Sequence, residues 1–172
     1  MTVALDTNIL IWGIKSRHSK RGNPRQRDLI DLQRRSAILL DMLDADKERI
    51  IIPTVTVAEL LVGVEPAAHA EFIAELQERF FCPPFDIRAC AIAADLWIQH
   101  KGLPKSEQIQ RAVLSSDVKI IATAKAAGAA KIYSHEPKFR KLAMKIMTAE
   151  DLPMHHTDMF KDAEFSAAFP SN

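Results

Sequence analysis

Cysteine is scarce in this 172-residue chain, limited to Cys82 and Cys90, neither in a C-x-x-C pair nor in a Cys/His spacing suited to zinc. A disulfide-stapled scaffold is thereby excluded, and two free thiols in a reducing compartment are expected. Glycine is scarce as well, and no G-x-G-x-x-G follows the first apolar run, which excludes a dinucleotide-binding domain. Long apolar runs are missing. The most apolar stretch, residues 50–68, is interrupted by Pro53, Glu59 and Glu65, so no membrane span is expected. The opening residues, Met-Thr-Val-Ala-Leu-Asp, lack a basic segment and reach a charge at Asp6. They do not read as a signal peptide, and cytoplasmic residence is the expectation. The histidines (His18, His69, His100, His135, His155 and His156) show no metal-ligand spacing on one helix face, and there are no internal repeats. Neither sign of charge dominates: the net charge of +1 does not by itself mark a nucleic-acid binder.

What is present is an ordinary soluble composition, 48% hydrophobic and 26% charged, in a length that fits one domain. Val3 to Asp6 reads as a buried strand, followed by a short helix over Ile9–Ile14 and a basic loop over residues 15–27. Helical spacing of apolar residues from Leu29 to Leu43 predicts a long helix capped by Asp28. The isoleucine run Arg49–Pro53 predicts a strand buried on both faces, as in a parallel sheet. A helix from Thr54 or Thr56, another over residues 67–79, an extended segment at Phe80–Phe85 and a long helix capped by Asp86 and stopped by Gly102 follow. Ser115-Ser116-Asp117 is expected to cap a further helix ended by Gly128. Lys131–Ser134 reads as a strand, Glu136-Pro137 as a helix start, and Lys145–Met147 as a last short strand. This alternation points to an α/β fold: a central parallel sheet between two helical layers, a three-layer α/β/α sandwich. Residues 1–147 form the expected domain, and residues 148–172 an extension, loosely structured or docked on a partner.

In parallel sheets ligands gather at the carboxyl ends of the strands, and four acids fall near such ends: Asp6, Glu59, Asp117 and Glu136. Each also has a purely structural explanation. Asp6 suits the start of the next helix; Thr56-Val-Ala-Glu59 matches a capping box; Asp117 and Glu136 suit first helical turns. Those explanations leave one thing aside. Asp6 and Glu59 have apolar sequence neighbours, so the fold would desolvate them, and carboxylates sharing a pocket resist ionising together. A divalent cation with hard oxygen ligands, Mg²⁺ or Mn²⁺, resolves that conflict.

At these residues the chain resembles the PIN-domain family, and within it the VapC-like ribonucleases. The resemblance rests on Leu5-Asp6-Thr7-Asn8, Thr56-Val-Ala-Glu59-Leu-Leu, Asp117-Val-Lys-Ile-Ile-Ala-Thr-Ala124 and Tyr133-Ser-His-Glu136-Pro-Lys-Phe139, spread over residues 2–147. It implies a metal-dependent endoribonuclease using one or two Mg²⁺ or Mn²⁺ ions, a homodimer, and an antitoxin protein as a partner. Asp6, Glu59 and Asp117 resemble the principal acids, Asn8 a residue that orders the site, and Ser134 the small hydroxyl residue before the last acid. The fourth acid is usually Asp in the family; here it is Glu136, one methylene longer and followed by Pro137. The alternative is a PIN domain that binds RNA or protein without cutting. A haloacid-dehalogenase-like phosphatase would need a second Asp two residues after Asp6, where this chain has Asn8.

Two basic clusters complete the reading. Arg17, Lys20, Arg21, Arg25 and Arg27 lie in an acid-free stretch just after the first motif, and are expected to contact the RNA backbone. Lys138, Arg140, Lys141 and Lys145 follow the last acid, with a solvated helix face as the plainer reading.

Overall fold

The computed structural model describes residues 1–15 and 24–154. Four short strands, β1 (Thr2–Leu5), β2 (Arg49–Ile51), β3 (Lys131–Tyr133) and β4 (Thr148–Glu150), form one sheet in the order β2-β1-β3-β4. Every pairing is parallel, with Val3 beside Ile50 on one side and Lys131 on the other. Around the sheet lie α1 (Thr7–Lys15), α2 (Pro24–Ala45), α3 (Thr54–Leu61), α4 (His69–Arg79), α5 (Ile87–Lys101), α6 (Arg111–Ala126) and α7 (Pro137–Ala143).

Strand alternation splits the apolar residues into two cores. Val3, Leu5, Ile50 and Ile52 point to one side and pack with Ile9 and Leu10 of α1 and Leu39 and Leu43 of α2. Ala4, Ile51 and Ile132 point to the other, against Leu96 of α5, Ile121 of α6 and Phe139 of α7. A sheet apolar on both faces must be covered on both, which yields the expected three-layer α/β/α sandwich. Beyond β2, Phe81 makes one parallel bridge to Ile51, within the segment expected to be extended. Asp86 caps α5 as expected, its carboxylate accepting from the Ala89 N–H at 2.9 Å. Gly128, at φ 85°, ends the turn after α6 in a conformation that favours glycine.

Several boundaries differ from the sequence expectation. α2 starts at Pro24, so residues 24–27 are helical and Asp28 is not its cap; a proline at the first helical position needs no N–H partner. Arg25 and Arg27 therefore belong to the first turn of α2, whereas Arg17, Lys20 and Arg21 lie outside the described residues. α6 starts at Arg111, four residues before Ser115, so Asp117 sits inside the helix. The last strand is Thr148–Glu150 and not Lys145–Met147. The chain just after β4 docks on its own α2: Arg35 donates to the carbonyls of Leu152 at 2.8 Å and Pro153 at 3.0 Å, and Leu152 is buried. Residues 155–172 lie outside the described residues. Among the described residues no helix is long and apolar enough to cross a membrane.

Candidate active site

β1 is the strand at which the sheet order reverses: the chain goes from β1 to β2 on one side and returns to β3 on the other. The carboxyl end of such a strand opens into a crevice between diverging connections. Asp6 is the first residue past that end. Its N–H donates to the Tyr133 carbonyl at 3.0 Å, which ties it to the end of β3.

A cleft of about 740 Å³ opens there, lined by Asp6, Asn8, Glu59, Asp117 and Glu136 among others. The four acids come from four different elements. Asp6 lies between β1 and α1, Glu59 in α3, Asp117 in α6, and Glu136 at the start of α7. Their surroundings are unequal. Asp6 is 6% exposed, and burial raises its pKa to about 6 despite hydrogen bonds from Ser134 and the Thr7 backbone. Asp117 is pushed up to about 7, by burial first and then by the charges of Asp6, Glu59 and Glu136. Glu136 is exposed at the rim.

Hydroxyl groups hold these carboxylates in place. The buried Ser134 hydroxyl donates to Asp6 Oδ2 at 2.8 Å and accepts from the Glu136 N–H at 3.1 Å, linking the first and last acids. Glu59 accepts from Thr7 Oγ1 through one oxygen and from Ser116 Oγ through the other. The capping-box reading of Glu59 is thus overturned: α3 starts at Thr54, and the Thr56 hydroxyl is buried without a partner among the described residues. The first-turn reading of Asp117 fails with the earlier start of α6. Glu136 does precede α7, but its side chain makes no capping bond.

Thr7 and Ser116 are the site residues that sequence reasoning misses. Their signal is adjacency, since each is the immediate neighbour of a candidate acid, and a hydroxyl there can reach a carboxylate from another element. Asn8 lines the cleft and is exposed. The hydroxyls of Thr7, Ser116 and Ser134, with the Thr7 backbone, hydrogen-bond the acids.

The donor set is made only of carboxylate oxygens, which suits a hard divalent cation such as Mg²⁺ or Mn²⁺ and not zinc. Among the described residues no group of three His, Cys, Asp or Glu side chains is gathered to hold an ion as it stands. Like charges with hydroxyl partners have no reason to crowd together alone. The raised pKa values of Asp6 and Asp117 come first from burial and then from the neighbouring carboxylates, and a cation would relieve both penalties.

The loop carrying Ser134 and Glu136 is fixed from outside the cleft. Arg140 donates to the carbonyls of Ser134 at 2.8 Å and His135 at 2.7 Å, and pairs with Asp151 at 3.2 Å. His135 meets the same Asp151 at 2.9 Å and packs edge-on against Trp12. His135 is therefore a tie of this loop, not simply a solvent-facing residue. Arg140→Met should lower stability by about 1–3 kcal/mol, the value of charge-assisted bonds to a half-buried loop. Chemical denaturation checks this; an unchanged midpoint would mean that Arg140 is only part of a solvated helix face.

Comparison with known proteins places this geometry. A family model described as PIN domain matches residues 3–145. A comparison with curated proteins found no match. Similar solved structures include VapBC2 from Rickettsia felis bound to a DNA fragment from their promoter, at 19% identity and TM-score 0.59, covering 89% of this chain and 100% of that one. VapBC-1 from nontypeable Haemophilus influenzae is also 19% identical, with TM-score 0.61 over 88% of this chain and 98% of that one. DNA-bound VapBC from Salmonella typhimurium has TM-score 0.56 at 19% identity, covering 89% of this chain and 99% of that one. At such identity the likeness is one of fold.

Proposed function

Because the chain belongs to the PIN domain family, we propose that it is a metal-dependent endoribonuclease that hydrolyses RNA phosphodiester bonds. The observation that carries this reading is the convergence of Asp6, Glu59, Asp117 and Glu136, from four elements, on one cleft at the reversal point of the sheet. These four carboxylates are the groups that would hold one or two Mg²⁺ or Mn²⁺ ions. Such ions supply acidification of water for attack on phosphorus and neutralisation of phosphate charge. Asp6 is buried at the floor of the cleft and Asp117 is half-buried, while Glu136 is exposed at its outer edge. Ser134 orients Asp6, Thr7 and Ser116 orient Glu59, and Asn8, exposed on the cleft wall, is the polar residue that would help order the site. Cleavage of transfer and ribosomal RNA with Mn²⁺, and none with chelator, is the expected result; identical digestion in chelator would sink the proposal.

A second reading has one observation in its favour. Both Glu59 oxygens are engaged by hydroxyls, an arrangement a non-cutting RNA- or protein-binding module could also keep. The two readings part on metal: a binding module gains no stability from Mn²⁺.

The partners proposed are RNA, a second copy of this chain and an antitoxin protein. The resemblance to VapC-like ribonucleases supports the last two, and the fold shared with VapBC assemblies supports the antitoxin. For RNA, the acid-free run with Arg17, Lys20, Arg21, Arg25 and Arg27 follows α1 directly in sequence. Charge reversal of Arg17, Lys20 and Arg21 should weaken binding across sequences and flatten its salt dependence, by about 0.7 in log–log slope for every phosphate no longer neutralised. An unchanged slope in a titration from low to high salt would return this run to ordinary solvated surface.

A further inference from the structure

Asp151 directly follows β4 and does not line the acidic cleft, yet its contacts lead into that cleft. Its Oδ1 meets His135 Nδ1 at 2.9 Å and accepts the Leu152 N–H at 2.7 Å, while Oδ2 meets Arg140 Nη1 at 3.2 Å. That same Arg140 nitrogen donates to the carbonyls of Ser134 and His135. The Ser134 N–H in turn donates to the Glu150 carbonyl at 3.0 Å. Ser134 and His135 are therefore bracketed from outside by Glu150 and Asp151. On the inner side, the Ser134 hydroxyl holds the Asp6 carboxylate and the Glu136 N–H. An unbroken run of polar contacts thus joins Asp151 to the first and last acids of the cleft.

Charge explains why a carboxylate suits this position. The Arg140 side chain is only 18% exposed, and its two carbonyl acceptors carry no net charge to balance it. Asp151 supplies the counter-charge, and a half-buried cation that loses its partner is costly to keep in place. Arg35 of α2 anchors the same stretch through the Leu152 and Pro153 carbonyls, so Asp151 is itself held firmly. We infer that Asp151 is a positioning residue of the metal site, setting Asp6 and Glu136 through Arg140, His135 and Ser134. The inference rests on the reading of the four acids as metal holders. Its physical basis is the strict coordination geometry of a small divalent cation, whose ligands must be held by their own hydrogen-bond partners.

The test titrates the full chain with Mn²⁺ alone in a calorimeter, with circular dichroism to confirm folding. Asp151 is 38% exposed, so its substitution should leave the fold in place. Asp151→Asn should weaken Mn²⁺ binding about 10-fold, the lower end of what outer partners of metal ligands are worth. Asp151→Glu, which keeps the charge opposite Arg140, should recover most of that affinity. On a Ser134→Ala background, Asp151→Asn should cost little more, because the run of contacts passes through the Ser134 hydroxyl. A lower melting temperature with wild-type affinity would make Asp151 a tie of the fold alone and overturn the inference. A fully additive loss on the Ser134→Ala background, or an equal loss in Asp151→Glu, would overturn it too. A wild type that binds Mn²⁺ with the expected pattern but cuts no RNA removes the nuclease reading and leaves the positioning role standing. If the wild type binds no Mn²⁺, the metal reading and this inference fall together.

Discussion

Asp6→Asn, Glu59→Gln and Asp117→Asn are each expected to reduce metal-dependent RNA cleavage by more than about 100-fold. Outer partners of metal ligands alone are worth about 10–100-fold, and these three residues are proposed as the ligands themselves. Each substitution keeps the shape and removes one charge, so the fold should survive. Asp6 and Asp117 already resist ionisation because of burial and their acidic neighbours, and neutralising either removes an unfavourable charge. Glu136→Gln should cost less, because this carboxylate is exposed at the rim. Steady-state cleavage with Mn²⁺, alongside far-UV circular dichroism to confirm folding, checks the set. Retention of wild-type rates by all three variants would remove these acids from the chemistry.

The second large effect concerns pH. In the folded chain without metal, Asp6 titrates at about 6 and Asp117 at about 7, against 3.8 for an ordinary Asp. The folded state thus holds protons that the unfolded chain has already lost. Stability associated with these two groups is complete below about pH 4 and declines as pH rises toward 7, because the folded state binds more protons throughout that window. For buried Asp6 the displacement corresponds to about 3 kcal/mol. The difference in unfolding free energy between wild type and Asp6→Asn, measured in chelator, should therefore grow from pH 4 to pH 7 in favour of the variant. Affinity for Mn²⁺ should rise over the same range, since ligands must lose their protons to bind. A difference that stays constant with pH would mean that Asp6 ionises without penalty.

Much of this arrangement was legible from residue order. Strand-length apolar runs ending in or near acids indicated the parallel sheet, and Asp6 at the end of β1 followed directly. What misled was local chemistry that tertiary contacts override. Thr56-Val-Ala-Glu59 has a sound capping-box spacing, yet Glu59 bonds Thr7 and Ser116, 52 and 57 residues away in sequence. Ser115-Ser116-Asp117 looks like a helix start, but α6 begins at Arg111 after Gln110, which makes no side-chain cap. No polar capping signal marks that boundary, so the next polar cluster along the chain takes its place. Pro24 did carry a valid start signal for α2, outweighed by the basic residues around it. β4 buries only Ala149, too little apolar character to stand out beside Ile146 and Met147. The four acids are legible as a set from their places near strand ends; what no local pattern encodes is the order β2-β1-β3-β4 that brings those ends together.

Thermal melting of the wild type and of the Asp6→Asn, Glu59→Gln and Asp117→Asn variants, each in chelator and in Mn²⁺, tests the central claim most directly. Metal should raise the wild-type Tm by mass action, by an amount that grows with Mn²⁺ concentration, and should raise the variants' much less. In chelator the two Asp variants should melt at or above the wild type. If all three variants melt lower and the wild-type Tm ignores Mn²⁺, the acids serve the fold alone and no metal centre exists.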